Sequence, residues 1–276
     1  MTVILRKASH DNMTQSLSVI TICFNNLEEL QQTCSSIDKQ SILPDEHLII
    51  DGSTGNDIIH WLEETPQPPY RKWIHERDKG IADAFNKGVQ RATSSVLHIL
   101  NSGDQYYSSD AIKIMMAHFE SDSILMWAHS KYVQHRGSID VISGAPFNPS
   151  LLWKGMRTVA HPTMFVKASL YKKHGVFNID YKIAMDYDFL VRIKDEKFYF
   201  TPQPLIFFAP GGASNIHFKK GLAEVRKSYQ KYIGKDFKLP LWQLRQQILA
   251  AVMETSLGKY LFKIKNRKQI SNPIHS

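Results

Sequence analysis

The sequence predicts an α/β domain built on a Rossmann-like, mostly parallel central sheet flanked by helices, with a basic helical extension at its C-terminal end. Three observations carry this. Apolar runs at 17–23, 47–50 and 96–100 alternate with stretches of helical period. Each run ends at a turn rich in Asn, Asp, Gly or Ser. A hydrophobic content of 43% over 276 residues is enough for one large core.

The first run, 17–23, reads as a buried strand; Asn25 and Asn26 then offer a helix N-cap, with Leu27, Leu30, Cys34 and Ile37 on one face. Pro44 closes that unit, and strand 47–50 runs into the turn Asp51-Gly52-Ser53-Thr54. A Pro-rich connection at 65–69 leads to a short strand at 73–76 and a helix carrying Ile81, Ala84, Phe85, Gly88, Val89 and Ala92. Strand 96–100 follows and delivers Asn101-Ser102-Gly103-Asp104. From 109 the pattern is mixed: a helix with Ile112, Met115, Met116 and Phe119, strand-like pieces at 123–128 and 130–142, an apolar-to-helix run at 161–173, and a helix at 183–193 that starts with acidic residues. There is no internal repeat.

Right-handed crossovers bring the carboxyl ends of parallel strands to one edge, where open α/β sheets bind ligands. Asn25, Asp51 and Asp104 each fall just beyond such an end. Asp104, on a Gly-containing turn, suits a hard cation such as Mg²⁺ or Mn²⁺ that keeps positions open for phosphate. The competing reading of both aspartates is a plain Asx turn.

A net charge of +8, concentrated in residues 217–268, points to anionic company: phosphorylated substrates, anionic lipid or nucleic acid. Two cysteines, Cys23 and Cys34, fit a reduced compartment better than a disulfide framework. No apolar run approaches the ~20 residues of a spanning helix, and residues 1–16 are polar, so a cytoplasmic protein is expected. Residues 242–264 interleave Trp242, Leu244, Ile248, Val252, Leu257, Leu261, Phe262 and Ile264 with Arg245, Lys259, Lys263 and Lys265. That pattern suits a helix lying on a membrane surface, and equally one packed on the domain or on a second subunit in a homo-oligomer.

Four segments, in order, resemble the inverting nucleotide-sugar glycosyltransferases of family 2, especially the bacterial enzymes of capsule, exopolysaccharide and O-antigen assembly. They are Val19 to Asn26; Ile49 to Thr54; Asp78 to Gly88 running on to Leu100 through Asp104; and Gly175-Val176-Phe177 leading to Met185 through Arg192. The resemblance implies a GT-A domain over 17–215, with a donor half at 17–108 and an acceptor half at 109–215, between a polar extension at 1–16 and a basic helical region at 216–276.

Carried over residue by residue, it places Thr21, Phe24 and Asn25 against the nucleotide, Asp51 and Ser53 at the base or ribose, and Lys79 and Asp83 in the same pocket. Asn101 and Asp104 stand at the two acidic positions of the family's Asp-X-Asp metal motif, the first replaced by an amide. Asp186 stands at the second position of the Glu-Asp pair that supplies the catalytic base, with Met185 at the first; one carboxylate in reach of the acceptor hydroxyl suffices for that chemistry. Asp188 reads as a helix N-terminal acid offsetting the macrodipole. His161 is implied at the acceptor pocket, Gly211-Gly212-Ala213-Ser214 as a return to the donor phosphates, and His217 as a further metal ligand, against the plainer reading of a surface histidine.

The implied activity is metal-dependent, inverting transfer of a sugar from a nucleoside diphosphate sugar, UDP-linked by expectation, to a saccharide acceptor on a polyprenyl carrier. Such an enzyme would work in surface polysaccharide biosynthesis, peripheral to the cytoplasmic face of the inner membrane. A nucleotidyltransferase would instead need a Gly-rich, cationic loop after the first strand, and Cys23-Phe24-Asn25-Asn26 is not one. A non-catalytic binder of anionic lipid or nucleic acid would rely on the basic tail, which has no recognition module's spacing, so nucleic acid is not an expected partner.

Overall fold

The computed structural model describes residues 14–136, 139–212 and 217–255. Most of the polar N-terminal extension, Ala213 and Ser214 of the glycine segment, and the basic stretch from Leu257 onward lie outside the described residues.

Strands β1 (Leu17–Cys23), β2 (Glu46–Asp51), β3 (Arg71–His75) and β4 (Val96–Ile99) pair in parallel in the order β3-β2-β1-β4. Helices α1 (Leu27–Asp38), α2 (Asp57–Glu64) and α3 (Ile81–Arg91) make the crossovers. Alternate residues of a strand face opposite sides of a sheet, and here both sides are covered. Ile20, Leu48 and Ile50 face the core under α3, while Leu17, Val19, Cys23 and Ile49 face the other side with α1 and α2. That two-sided burial is why these strands read as unbroken apolar runs.

The second half continues the same sheet with β5 (Gln105–Tyr106), α4 (Ala111–Ser121), β6 (Trp127–Arg136), β7 (Ile139–Ser143), β8 (Phe165–Lys167), α5 (Ala168–His174), α6 (Met185–Arg192) and β9 (Phe198–Phe207). Two 3₁₀ turns, Pro149–Lys154 and His161–Thr163, precede β8. Among the described residues the sheet is nine-stranded, β3-β2-β1-β4-β8-β6-β9-β5, with β7 on β6. Helices α7 (Phe218–Tyr232) and α8 (Lys238–Glu254) pack behind α6 and the first 3₁₀ turn.

The α/β architecture matches the sequence expectation, and the parallel character holds through β4. Beyond it β8 runs antiparallel to both β4 and β6, and β5 antiparallel to β9, so the second half is mixed. The expected strand at 123–128 begins only at Trp127, and the run at 161–173 divides into a 3₁₀ turn, a three-residue strand and a helix.

Beyond the shared sheet, the two halves are tied by Asn86 of α3. Its amide donates to Phe177 O and accepts from Phe177 N, both at 2.8 Å. Around this joint Phe85, Phe177, Tyr171 and Phe189 form a continuous aromatic cluster.

Candidate active site at the carboxyl edge of the sheet

The ends of β1 and β2 are tied together by Asn25, which adopts a left-handed φ of 51°. Its N–H donates to Ser53 Oγ at 2.8 Å, and its side-chain oxygen accepts from Thr54 N at 3.1 Å. Neither Asn25 nor Asn26 caps α1 with its side chain; Asn26 Oδ1 accepts from Phe24 N instead. Phe24 is left exposed at the edge. Thr21 lies deeper, fully buried: Arg71 Nε donates to His47 Nδ1 at 2.9 Å, so the His47 proton sits on Nε2 and is given to Thr21 Oγ1 at 3.0 Å. The Thr21 side chain thus serves the sheet's interior rather than the loop.

Asp51 ends β2 almost fully buried. One carboxylate oxygen accepts from Ser53 N at 3.0 Å, an Asx turn, and the other faces His75 Nδ1 at 2.6 Å. A carboxylate only accepts, so His75 donates from Nδ1, at the partly exposed edge. A Cβ at Gly52 would collide with the Asp78 carboxylate oxygen, so any side chain here displaces that carboxylate. Asp78 in turn pairs with Lys87 at 2.7 Å; burial raises its pKa against the opposing pull of that lysine. Lys79 is exposed, and its N–H donates to Asp83 Oδ2 at 2.9 Å across the start of α3.

The loop 101–104 is braced by Thr33 of α1, whose hydroxyl accepts from Gly103 N at 2.9 Å and donates to Asp104 O at 2.8 Å. Gly103 holds a left-handed φ of 99°. Asp104 is 3% exposed, and its Oδ1 accepts from Ala209 N at 2.9 Å. Burial pushes its carboxyl up to about 7, opposed by Ala209 N–H and by Asn101. Asn101 Oδ1 and Ser102 Oγ are buried without a hydrogen-bond partner. Unpaired oxygens beside a buried carboxylate are the donor set a hard cation takes. His217 sits exposed just ahead of α7, and among the described residues no three His, Cys, Asp or Glu side chains gather into a protein-built cage.

In the second half of the chain a cavity of about 280 Å³ is lined by His161, Asp186, Tyr187, Tyr132, Met156 and Phe208, among others. Phe208 is the chain neighbour of Ala209, so the strand end that forms part of this wall also holds Asp104. Asp186 lies in the first turn of α6, where its Oδ1 accepts from Tyr187 N at 2.7 Å. Burial raises its carboxyl to about 6, the Tyr187 N–H opposes the rise, and Glu224 adds to it. His161 stacks on Phe85 at 4.9 Å, and burial lowers it to about 4, so the ring is neutral at physiological pH.

Asp188 is committed elsewhere, accepting from Ser228 Oγ at 3.0 Å and Arg192 Nε at 3.0 Å. Asp188 stands in the first turn of α6, as expected of an acid that offsets the macrodipole, and its bond to Ser228 also ties α6 to α7.

Sequence reasoning missed three residues that shape the site: His75, Asn86 and Glu224. Glu224 is the sole acid between Glu196 and Asp236, on the buried face of a basic helix. Its carboxylate accepts the N–H groups of Lys182, Ile183 and Ala184 at 2.8–3.1 Å and so fixes the turn that leads into the helix carrying Asp186. Its isolation in a basic stretch was the available signal.

Comparison with known proteins places this geometry. A family model described as glycosyl transferase family 2 matches residues 18–175. An uncharacterized glycosyltransferase of Mycobacterium tuberculosis is 30% identical over 179 residues, covering 64% of this chain and 68% of that protein. S. aureus TarS 1–349, solved with UDP-GlcNAc, superposes with a TM-score of 0.60 at 14% identity, over 80% of this chain and 68% of that one. The longer TarS chain is spanned to only 40%. A mannosyltransferase from Pyrobaculum calidifontis, in complex with GDP-Man and Mn²⁺, gives 0.56 at 14% identity, over 98% of this chain and 88% of the other.

Proposed function

This chain belongs to glycosyl transferase family 2 and has a GT-A-type fold, and we propose that it transfers a sugar, with inversion, from a nucleoside diphosphate sugar to a lipid-linked saccharide. The observation that carries this reading is the placement of Asp186: a carboxyl raised to about 6, in a cavity whose wall continues into the segment holding Asp104.

Asp186 takes the proton of the acceptor hydroxyl as that oxygen attacks the anomeric carbon, and one in-line displacement inverts the centre. A carboxyl near 6 is a better base than an ordinary aspartate while staying ionised at neutral pH. His161, neutral and held against Phe85, offers the acceptor a hydrogen-bonding wall. On the donor side Asp51 orients His75, and the tied loops at Asn25 and Ser53 shape the edge for base and ribose, with Lys79 and Asp83 beside them. Asp104 and Asn101 would hold Mg²⁺ or Mn²⁺, which when bound neutralises charge on the departing diphosphate. His217 remains a secondary candidate ligand.

A UDP-linked donor is the first choice, since the TarS structure holds UDP-GlcNAc; GDP-linked sugars come second, because the Pyrobaculum calidifontis enzyme holds GDP-Man and Mn²⁺. Two buried, reduced cysteines agree with action on the cytoplasmic side, in surface polysaccharide assembly.

A screen of UDP-, GDP- and dTDP-sugars for Mn²⁺-dependent release of nucleoside diphosphate tests the reading. Asp104→Ala and Asp186→Ala should each lower release from the best donor at least a hundredfold. Release equal to the parent in both variants overturns the site, and no release from any donor with metal present overturns the donor class.

A further inference from the structure

Helix α8 buries one face, and its other face carries exposed apolar side chains. Leu239 and Gln243 are buried, Gln243 giving its amide to Leu222 O at 2.7 Å and accepting from Arg226, which pins α8 to α7. On the opposite side Phe237, Leu241, Leu244, Ile248 and Val252 recur at three- and four-residue spacing and are 41–72% exposed. Spacing of this kind puts them in one stripe. Single exposed aliphatics are ordinary, whereas a contiguous stripe of five marks a contact surface.

The stripe runs into a groove of about 690 Å³ between α8 and the segment 151–158. Four cations line it, Lys154, Arg157, Lys238 and Arg245, and no carboxylate among its lining residues answers them. Its apolar wall includes Trp153 and Trp242, with Lys154 lying over the Trp153 ring at 4.7 Å and Arg157 over the Trp242 ring at 5.7 Å. Met156 of that segment, with Val159, Ala160 and His161 just after it, also lines the Asp186 cavity. The sequence beyond the described helix adds Lys259, Lys263, Lys265, Arg267 and Lys268, and has no acidic residue from Thr255 to Ser276.

We propose that this face of α8, with the cationic groove beside it, docks on an anionic lipid surface: groove cations hold lipid phosphates while the stripe enters the acyl boundary. Charge and apolarity together select that occupant. A second copy seated on a two-fold axis would set the cationic groove against itself. A nucleic acid would answer the cations and leave five large apolar side chains facing phosphate and water. Lipid answers both, with tryptophans and long cationic side chains at the level of the headgroups. Among the described residues no helix is long and apolar enough to cross a membrane, so the contact lies in the interface plane. The proposal deepens the reading of a lipid-linked acceptor, and rests on it only for its purpose: the binding itself needs no sugar donor.

The test is cosedimentation of the full chain with vesicles of phosphatidylcholine alone and of phosphatidylcholine mixed with phosphatidylglycerol, without donor. The expected result is binding to the mixed vesicles that weakens with salt, and little to the neutral ones. Removing one groove cation lowers affinity about fivefold, so Lys154→Gln with Arg245→Gln costs roughly 25-fold. Leu244→Glu with Ile248→Glu abolishes binding. Both double variants keep the parent's melting temperature and its nucleoside diphosphate release, since these residues lie outside the Asp186 cavity. Equal binding to neutral and anionic vesicles, or affinity unchanged in either variant, overturns the proposal. So does a concentration-dependent dimer that Leu244→Glu with Ile248→Glu dissociates while vesicle binding persists, or duplex DNA bound as tightly as the vesicles. Vesicle binding with no donor turnover leaves the surface assignment standing and removes the enzymatic one.

Discussion

A half-buried carboxylate that must be ionised to work is a cost to folding at the pH where it works. As the proposed base, Asp186 carries that conflict: its folded pKa, raised by desolvation to about 6, lies above that of an unfolded aspartate. The native state therefore binds the proton more tightly, and above about pH 6 the charged form weighs against folding. Asp186→Asn should abolish transfer yet raise stability by about 1–2 kcal/mol at pH 8, a gain that shrinks below about pH 6 and vanishes by about pH 3, where both states are protonated. Urea unfolding of the two proteins at those pH values reads this directly. For the parent, kcat/KM should fall tenfold per pH unit below about 6, as protonation removes the base. At the same scale His75→Ala should raise the KM for donor about tenfold with little change in kcat, as loss of one charge-oriented hydrogen bond does. Asp51 and Asp186 could be proposed from the sequence because each stands in an ordered motif. His75 was not, since its role exists only through the β2–β3 register that sets it opposite Asp51.

Helix α6 depends on a residue forty positions away. Glu224 accepts three backbone N–H groups in the turn just before the helix, and Ala in its place leaves them without that acceptor. Glu224→Ala should cost about 3 kcal/mol in chemical unfolding and lower kcat, because the turn carrying Asp186 loses its anchor. Glu224→Gln, keeping one acceptor oxygen, should recover part of both. Elements differed sharply in how far the sequence disclosed them. The units around β1, β2 and β4 pair strands buried on both faces with helices of clear period, so local pattern and tertiary role agree. Strand β9 gave no such sign, because Pro202 and Pro204 interrupt it. Proline lacks the N–H a ladder needs, and the structure accommodates the pair with a register shift opposite Ser130 and Lys131. The three residues of β8 and two of β5 are too short to show a period and exist by virtue of their partners.

At the scale of the whole molecule, the GT-A-type architecture was legible because four motifs fall in order along the chain, whereas the antiparallel placement of β8 and β5 depends on contacts between distant segments. The joint between halves was not legible either: Asn86 lies inside a recognised motif, but its two bonds to Phe177 span 91 positions. Asn86→Ala should lower stability by about 2 kcal/mol, leaving the Phe177 N–H and carbonyl unpaired in the core. Far-UV circular dichroism through a urea titration gives the value.

A sheet that runs without interruption from β3 to β5, riveted by that asparagine, has no seam along which one half swings over the other. Mechanically the protein is an anvil and not a pair of jaws. Reactants are gathered against a fixed surface, and what displacement a turnover cycle needs falls to the edge segments and side chains. The radius of gyration measured by small-angle scattering should therefore stay the same, within error, when nucleoside diphosphate and Mn²⁺ are added.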